Sequence, residues 1–151
     1  MLSAAYAGGM QSSESLSNAG GLPPRDAAWF RQVAQCINDD PEMDLVGQHL
    51  NATVAFAFGA QRHHLVLQHG KVVDVRHGKK LDWRVDFGFR APDAVWDKFF
   101  SRPAPPLYNS VFAMAMRVDE FEMEGDTLLF AQNARSMTRL LELMQIQGQP
   151  Q

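Results

Sequence analysis

Four of the five histidines, His63, His64, His69 and His77, fall within one short stretch. Imidazole is the commonest metal ligand and the side chain that titrates near neutral pH. Zinc binding and general-base chemistry are therefore the first readings to weigh. Strand geometry constrains both. With His69-Gly70 closing a two-residue hairpin, His64 pairs beside Val75 and His77 lies diagonally on the same face. His63 then points to the opposite face, and His69 sits at the tip. At most two ligands converge, whereas a zinc site takes at least three protein ligands. The expectation is solvated histidines near a sheet edge, and no metal.

The carboxylates tell a similar story. Asp82 and Asp86 alternate with Arg84 and Arg90, the pattern of a mixed-charge solvent face rather than of a cleft with displaced pKa values. The acidic stretch Asp119, Glu120, Glu122, Glu124 and Asp126 alternates with Phe121 and Met123, as a half-buried strand does. Cys36 lies among Val33, Ala34 and Ile37 and reads as a small buried hydrophobe; a lone cysteine forms no internal disulfide. Phosphate loops, nucleophile elbows and cysteine metal motifs are absent. No catalytic residue, metal or cofactor is assigned.

The elements that must position these groups follow from periodicity. The 151 residues are 46% hydrophobic and 21% charged, with a net charge of -3, which is globular composition without an electrostatic footprint for nucleic acid. No apolar run approaches the roughly 20 residues of a membrane span, and no secretory leader is visible; the expectation is a cytoplasmic protein. Residues 1–24, rich in Ser, Gly, Ala and Asn, read as a disordered tail, 25–147 as one domain, and 148–151 as a disordered end.

Within the domain, Asp26 caps a helix whose stripe is Ala27, Phe30, Val33, Ala34 and Ile37. Leu50 to Phe58 alternates as a strand with one small face. A hairpin follows over His63 to Arg76, then a strand over Leu81 to Phe89. Pro92-Asp93 opens a helix carrying Val95, Trp96, Phe99 and Phe100, which Pro103 to Pro106 terminates. Leu107 to Met116 reads as another helix and Phe121 to Glu124 as a short strand. Asp126 caps a long helix with a stripe at Phe130, Ala134, Met137, Leu140, Leu141 and Met144. The fold class expected is α+β, with a mixed, largely antiparallel sheet of about five strands covered on one face by helices.

These elements carry more aromatic and Met side chains than packing alone requires. Ligand pockets are mostly apolar with few polar groups, and Met suits surfaces that accept varied apolar partners. The residues assigned to an apolar cavity are Phe56, Trp83, Trp96, Phe99, Phe100, Phe112, Met116, Met137 and Met144.

The strand Asn51 to Phe58, the hairpin around His69-Gly70-Lys71, the helix Ala94-Val95-Trp96-Asp97-Lys98-Phe99-Phe100 and the turn Glu124-Gly125-Asp126 into a closing helix together resemble the sterol carrier protein type 2 superfamily. The resemblance covers about Leu50 to Met144. It implies a sheet and helices enclosing an apolar tunnel, and binding of a fatty acyl, sterol or quinone-like lipid, in some members as an accessory to quinone synthesis. The Pro103 to Pro106 break departs from the family pattern, and the peroxisomal ending is missing. A carrier of a hydrophobic small molecule is the leading expectation, with transient membrane contact and a homodimer left open. Its rivals are an enzyme acting on such a molecule and an interaction protein docking through its Met and aromatic helices.

Overall fold

Helix α1 (Ala27–Asp39) begins where the Trp29 amide donates to Asp26 Oδ1 at 2.9 Å, satisfying one of the donors a helix start leaves orphaned. A second cap follows directly. Asp40 accepts from the Met43 amide at 2.9 Å and starts α2 (Pro41–Val46), with Pro41 in the first turn, where its missing N–H costs nothing. These contacts belong to a computed structural model, which describes residues 22–78 and 83–149. Most of the expected tail, together with Leu81, Asp82 and the last two residues, lies outside the described residues.

Five strands form one mixed sheet in the order β3-β2-β1-β4-β5. They are β1 (Ala52–Phe58), β2 (Gln61–Gln68), β3 (Lys71–His77), β4 (Phe87–Ala91) and β5 (Glu122–Gly125). Only β1 and β4 run parallel; the other neighbouring pairs are antiparallel. Between them lie α3 (Asp93–Phe99) and α4 (Val111–Arg117), and the chain closes with α5 (Thr127–Gln132) and α6 (Ala134–Gln147). Val54, Phe56 and Phe58 of β1 and Phe87 and Phe89 of β4 face the helices and are buried. Phe30 of α1 packs on Phe56 and Phe58, and Phe130 of α5 on Phe87 and Phe89.

The opposite face of β1 carries Ala55 and Ala57, both buried. Gly88 of β4 lies beside Ala55; a Cβ there would stand 2.7 Å from the Ala55 Cβ. This small floor lets Arg62 of β2 reach across β1 and β4 to Glu124 of β5, at 2.5 Å. Arg90 and Glu122 pair on the same face. The small face read from the sequence is thus covered by an extended ion pair, not by helices.

Several sequence boundaries move. The strand expected over Leu81 to Phe89 starts only at Phe87, because Asp86 substitutes for a strand residue. The Asp86 amide donates to Thr53 O at 2.9 Å, and the Asp86 carboxylate accepts from the Thr53 amide at 2.8 Å. Asp86 is therefore a structural acceptor as well as the partner of the exposed Arg84. The helix expected from Leu107 begins instead at Val111, after the Ser110 cap, since Leu107 takes a positive φ of 76°. The long last helix breaks at Asn133, whose side-chain amide donates back to Leu129 O at 3.0 Å while its backbone leaves the helical region.

The hairpin register is also corrected. His69 and Gly70 have φ of 51° and 77°, as a two-residue hairpin turn favours. Beyond it a bulge at Val73 shifts the pairing by one residue, so Val66 faces Asp74, His64 faces Arg76 and His63 faces His77. Asn38 at the end of α1 accounts for it. Its amide accepts from Val72 N at 2.7 Å and donates to Val72 O at 3.1 Å, holding the strand edge against the helix.

Helix α6 is fixed to α2 by a forked pair, with Arg139 donating to Asp40 from Nε at 2.9 Å and from Nη2 at 2.7 Å. That hydrogen-bonded guanidinium is the main reason the Asp40 carboxyl sits below its ordinary pKa. Asp40→Ala removes the cap and the forked pair, leaving Arg139 only its longer contacts to Glu42 and Glu142, and is expected to cost about 2 kcal/mol. Urea denaturation at pH 7 checks this, with Arg139→Ala expected to cost less because the cap survives.

Candidate functional site

Six of the nine residues assigned to a cavity meet in one place. Phe56, Trp96, Phe99, Phe100, Met137 and Met144 are buried between the sheet and helices α1, α3 and α6. Phe99 and Trp96 join Phe58 and Phe30 in a continuous line of edge and stacked contacts: Phe99 to Trp96 at 5.8 Å, Trp96 to Phe58 at 4.8 Å, Phe58 to Phe30 at 5.8 Å. The Trp96 indole donates to Ala57 O at 2.9 Å, so its polar atom is satisfied within the apolar layer.

This interior reaches the surface at a groove of about 150 Å³ between the end of α3, the start of α4 and α6. Phe99, Val111 and Leu141 are its buried floor. Phe112 forms part of the wall, 42% exposed and 5.0 Å from the Phe130 ring. Asn109, Ser110, Thr138, Glu142 and Gln145 make the rim. The Gln145 amide donates to Phe99 O at 2.8 Å and ties α6 to the last turn of α3. Val111 and Leu141 were not assigned from the sequence; helical spacing marks both as apolar without saying that they border a groove.

The other two assigned residues lie elsewhere. Met116 is 81% exposed on the outer side of α4. Trp83 is half-buried on the opposite face of the sheet, 5.3 Å from the His64 ring and beneath the Arg76 guanidinium.

A larger cleft, about 670 Å³, opens where α1 and α3 begin, lined by Arg25, Asp26, Phe58, Gln61, Asp93 and Asp97 among others. Arg25 lies over the Phe58 and Phe100 rings, each at 5.2 Å, and pairs with Asp97 at 2.9 Å. It ties the start of α1 to α3 and closes one end of the aromatic layer.

The histidines depart from expectation. His63 and His64 are buried, not solvated. The signal for His63 is visible in hindsight, since it shares the strand phase of Leu65 and Leu67 on the core side. Its ring stacks on Phe30 at 4.4 Å, and its Nδ1 lies 2.6 Å from Nδ1 of the exposed His77. Burial, then the neighbouring His77 and His64, lower its pKa to about 4, against a smaller opposing effect of Asp26. His64, on the other face, accepts from Arg62 Nε at 3.3 Å and is lowered mainly by burial, then by Arg62 and Arg76. His69 remains exposed at the hairpin tip, its ring facing Gln48 O at 3.1 Å. Cys36 is half-buried rather than buried. Among the described residues no three His, Cys, Asp or Glu side chains converge as a metal site would require, and no helix is long and apolar enough to cross a membrane.

No family model matches the sequence, and no curated protein matches it. Solved structures do. A crystal structure of sterol carrier protein 2 is 17% identical and superposes with a TM-score of 0.63, over 78% of this chain and 94% of that one. The solution structure of a conserved hypothetical protein from Thermus thermophilus, described as possibly a sterol carrier protein, is 16% identical, with a TM-score of 0.67 over 87% and 94%. The UbiJ-SCP2 ubiquinone synthesis protein is also 16% identical, with a TM-score of 0.51 over 78% and 93%. The chain has the sterol carrier protein 2 fold.

The buried His63 makes stability depend on pH. Its folded pKa lies below the unfolded value, so the unfolded chain binds the extra proton between pH 6.5 and about 4. Stability is therefore complete above that window and falls as pH drops through it, by about 2 kcal/mol between pH 7 and pH 4.5. Denaturant midpoints at the two pH values measure the loss; His63→Phe is expected to shrink it, leaving the share of His64 and of carboxylates such as Asp40.

Proposed function

We propose that the protein binds and carries a hydrophobic small molecule of the fatty acyl, sterol or quinone-like class in the layer between sheet and helices. One observation carries this reading. The groove at α3, α4 and α6 is floored by Phe99, Val111 and Leu141, which belong to the same buried cluster as Trp96, Phe100, Met137 and Met144. An apolar chain laid on that floor reaches the interior by displacing side chains, without crossing a polar layer. The fold shared with sterol carrier protein 2 and with a ubiquinone synthesis protein supports the same class of ligand.

A groove of about 150 Å³ is smaller than the roughly 300–1,000 Å³ of ligand pockets in general. Binding therefore enlarges it. Met137 and Met144 suit that role, because an unbranched thioether refills irregular space at low cost. Helix α4, only two turns long and anchored through Val111 and Met114, is the element that shifts outward in this reading. Burial contributes about 0.8 kcal/mol per methylene, so a chain of some ten methylenes supplies a gross gain of about 8 kcal/mol, from which the repacking is subtracted.

Delipidated protein is expected to take up a long-chain acyl probe with a change in Trp fluorescence. Phe112→Asp places a charge on the groove wall at a side chain already partly exposed, and is expected to weaken uptake about tenfold with unchanged far-UV dichroism. Absence of uptake for acyl, sterol and quinone probes alike sinks the proposal.

A further inference from the structure

Two buried side-chain atoms have no hydrogen-bond partner among the described residues, His63 Nε2 and His64 Nδ1. His64 lies on the sheet face away from the helices, under Trp83. His63 lies on the helix side, 4% exposed, against Phe30 and Phe58. An unsatisfied buried polar atom costs about 1–3 kcal/mol, and such atoms are few in folded proteins. Among the described residues nothing uses His63 Nε2.

Its position relative to the groove gives it a use. The ring contacts run from Phe99 on the groove floor to Trp96, from Trp96 to Phe58, and from Phe58 to His63 at 5.9 Å. Trp96 Nε1 is already bonded to Ala57 O. Trp96 and Phe58 are buried and packed ring to ring, so a molecule following this line from the groove displaces only apolar side chains until it reaches His63.

The pair with His77 also decides which kind of group His63 can receive. The 2.6 Å approach of the two Nδ1 atoms holds one proton. Buried N–H groups without acceptors are rare, so the proton belongs to His63 Nδ1 and is donated to His77 Nδ1. His77 keeps its own N–H on Nε2, where its ring is exposed. A neutral His63 with its proton on Nδ1 presents a bare Nε2, which is an acceptor.

We propose that His63 is the polar anchor of the binding layer, its Nε2 accepting a hydrogen bond from the hydroxyl of a neutral amphiphile such as a sterol, a long-chain alcohol or a quinol. The inference rests on the carrier reading above and adds the ligand's head-group chemistry to it. Phe99, Trp96 and Phe58 hold the apolar body, and His77 fixes the tautomer from outside.

Delipidated, 15N-labelled protein is titrated with 1-decanol and, separately, with decane, while the imidazole nitrogens are followed by long-range 1H–15N NMR. The His63 Nε2 resonance is expected to move on adding decanol and to stay nearly fixed with decane. His63→Phe, which keeps the stack on Phe30, is expected to weaken decanol up to about tenfold, the weight of one hydrogen bond, and to leave decane unchanged. Decanol binding with an unmoved Nε2 overturns the anchor while the carrier reading stands, as does equal decanol affinity in a folded His63→Phe variant. If neither probe binds the wild-type chain, the carrier reading fails and the anchor with it. Should the variant not fold, the wild-type titration decides alone.

Discussion

Strand β1 is buried on both faces, and the rest of the molecule is arranged around that constraint. A strand between two covered faces needs side chains sized for two different neighbours. Toward the helices it offers Val54, Phe56 and Phe58, large enough for α1, α3 and the β4 aromatics to pack on. Away from them it offers Ala55 and Ala57, which with Gly88 leave a shallow floor. Arg62 crosses that floor to Glu124 because nothing taller stands in the way. The parallel pairing of β1 with β4 follows from the same position: the chain returns to the second edge of β1 only after the hairpin has occupied the first.

The two faces divide the chemistry. The outer face keeps its charges in pairs, with Trp83 covering His64 between Arg62 and Arg76. The inner face is almost wholly apolar, which makes His63 conspicuous there. Its face follows from the strand phase it shares with Leu65 and Leu67, and its cross-strand partner follows from register. Asn38 holds the Val72 backbone from both sides, the bulge at Val73 absorbs one residue, and His63 comes to face His77 instead of Arg76. A small polar contact at the end of a helix thus sets the environment of a buried imidazole on the neighbouring strand.

Much of the fold was legible in the chain. Period-two runs mark β1, the hairpin and β4, and the caps at Asp26 and Asp126 mark helix starts that the structure keeps. A largely antiparallel sheet under helices follows from their order, whereas the parallel pairing of β1 with β4 does not. The boundaries that moved did so where a polar side chain took over backbone hydrogen bonding, at Asp86 and at Asn133. Such substitutions have no periodic signature. Of the nine residues assigned to a cavity, six share one buried interior; their role toward a ligand remains a proposal. Trp83 and Met116 lie outside that interior, because an aromatic or a Met reports a need for apolar contact but not which layer meets it.

The sequence by itself determined which side chains alternate, where helices start, and that the apolar surplus gathers from Trp83 onward, because those properties depend only on near neighbours along the chain. Tertiary structure alone decided the rest. It decided that α3, α4 and α6 leave a groove over Phe99 and Leu141, that Arg62 spans two strands, and that His63 is buried against Phe30 with one nitrogen unpaired. Each depends on contacts between residues far apart in sequence. A one-residue bulge, held by a helix distant along the chain, exchanges the cross-strand partner of His63 without changing a single local preference.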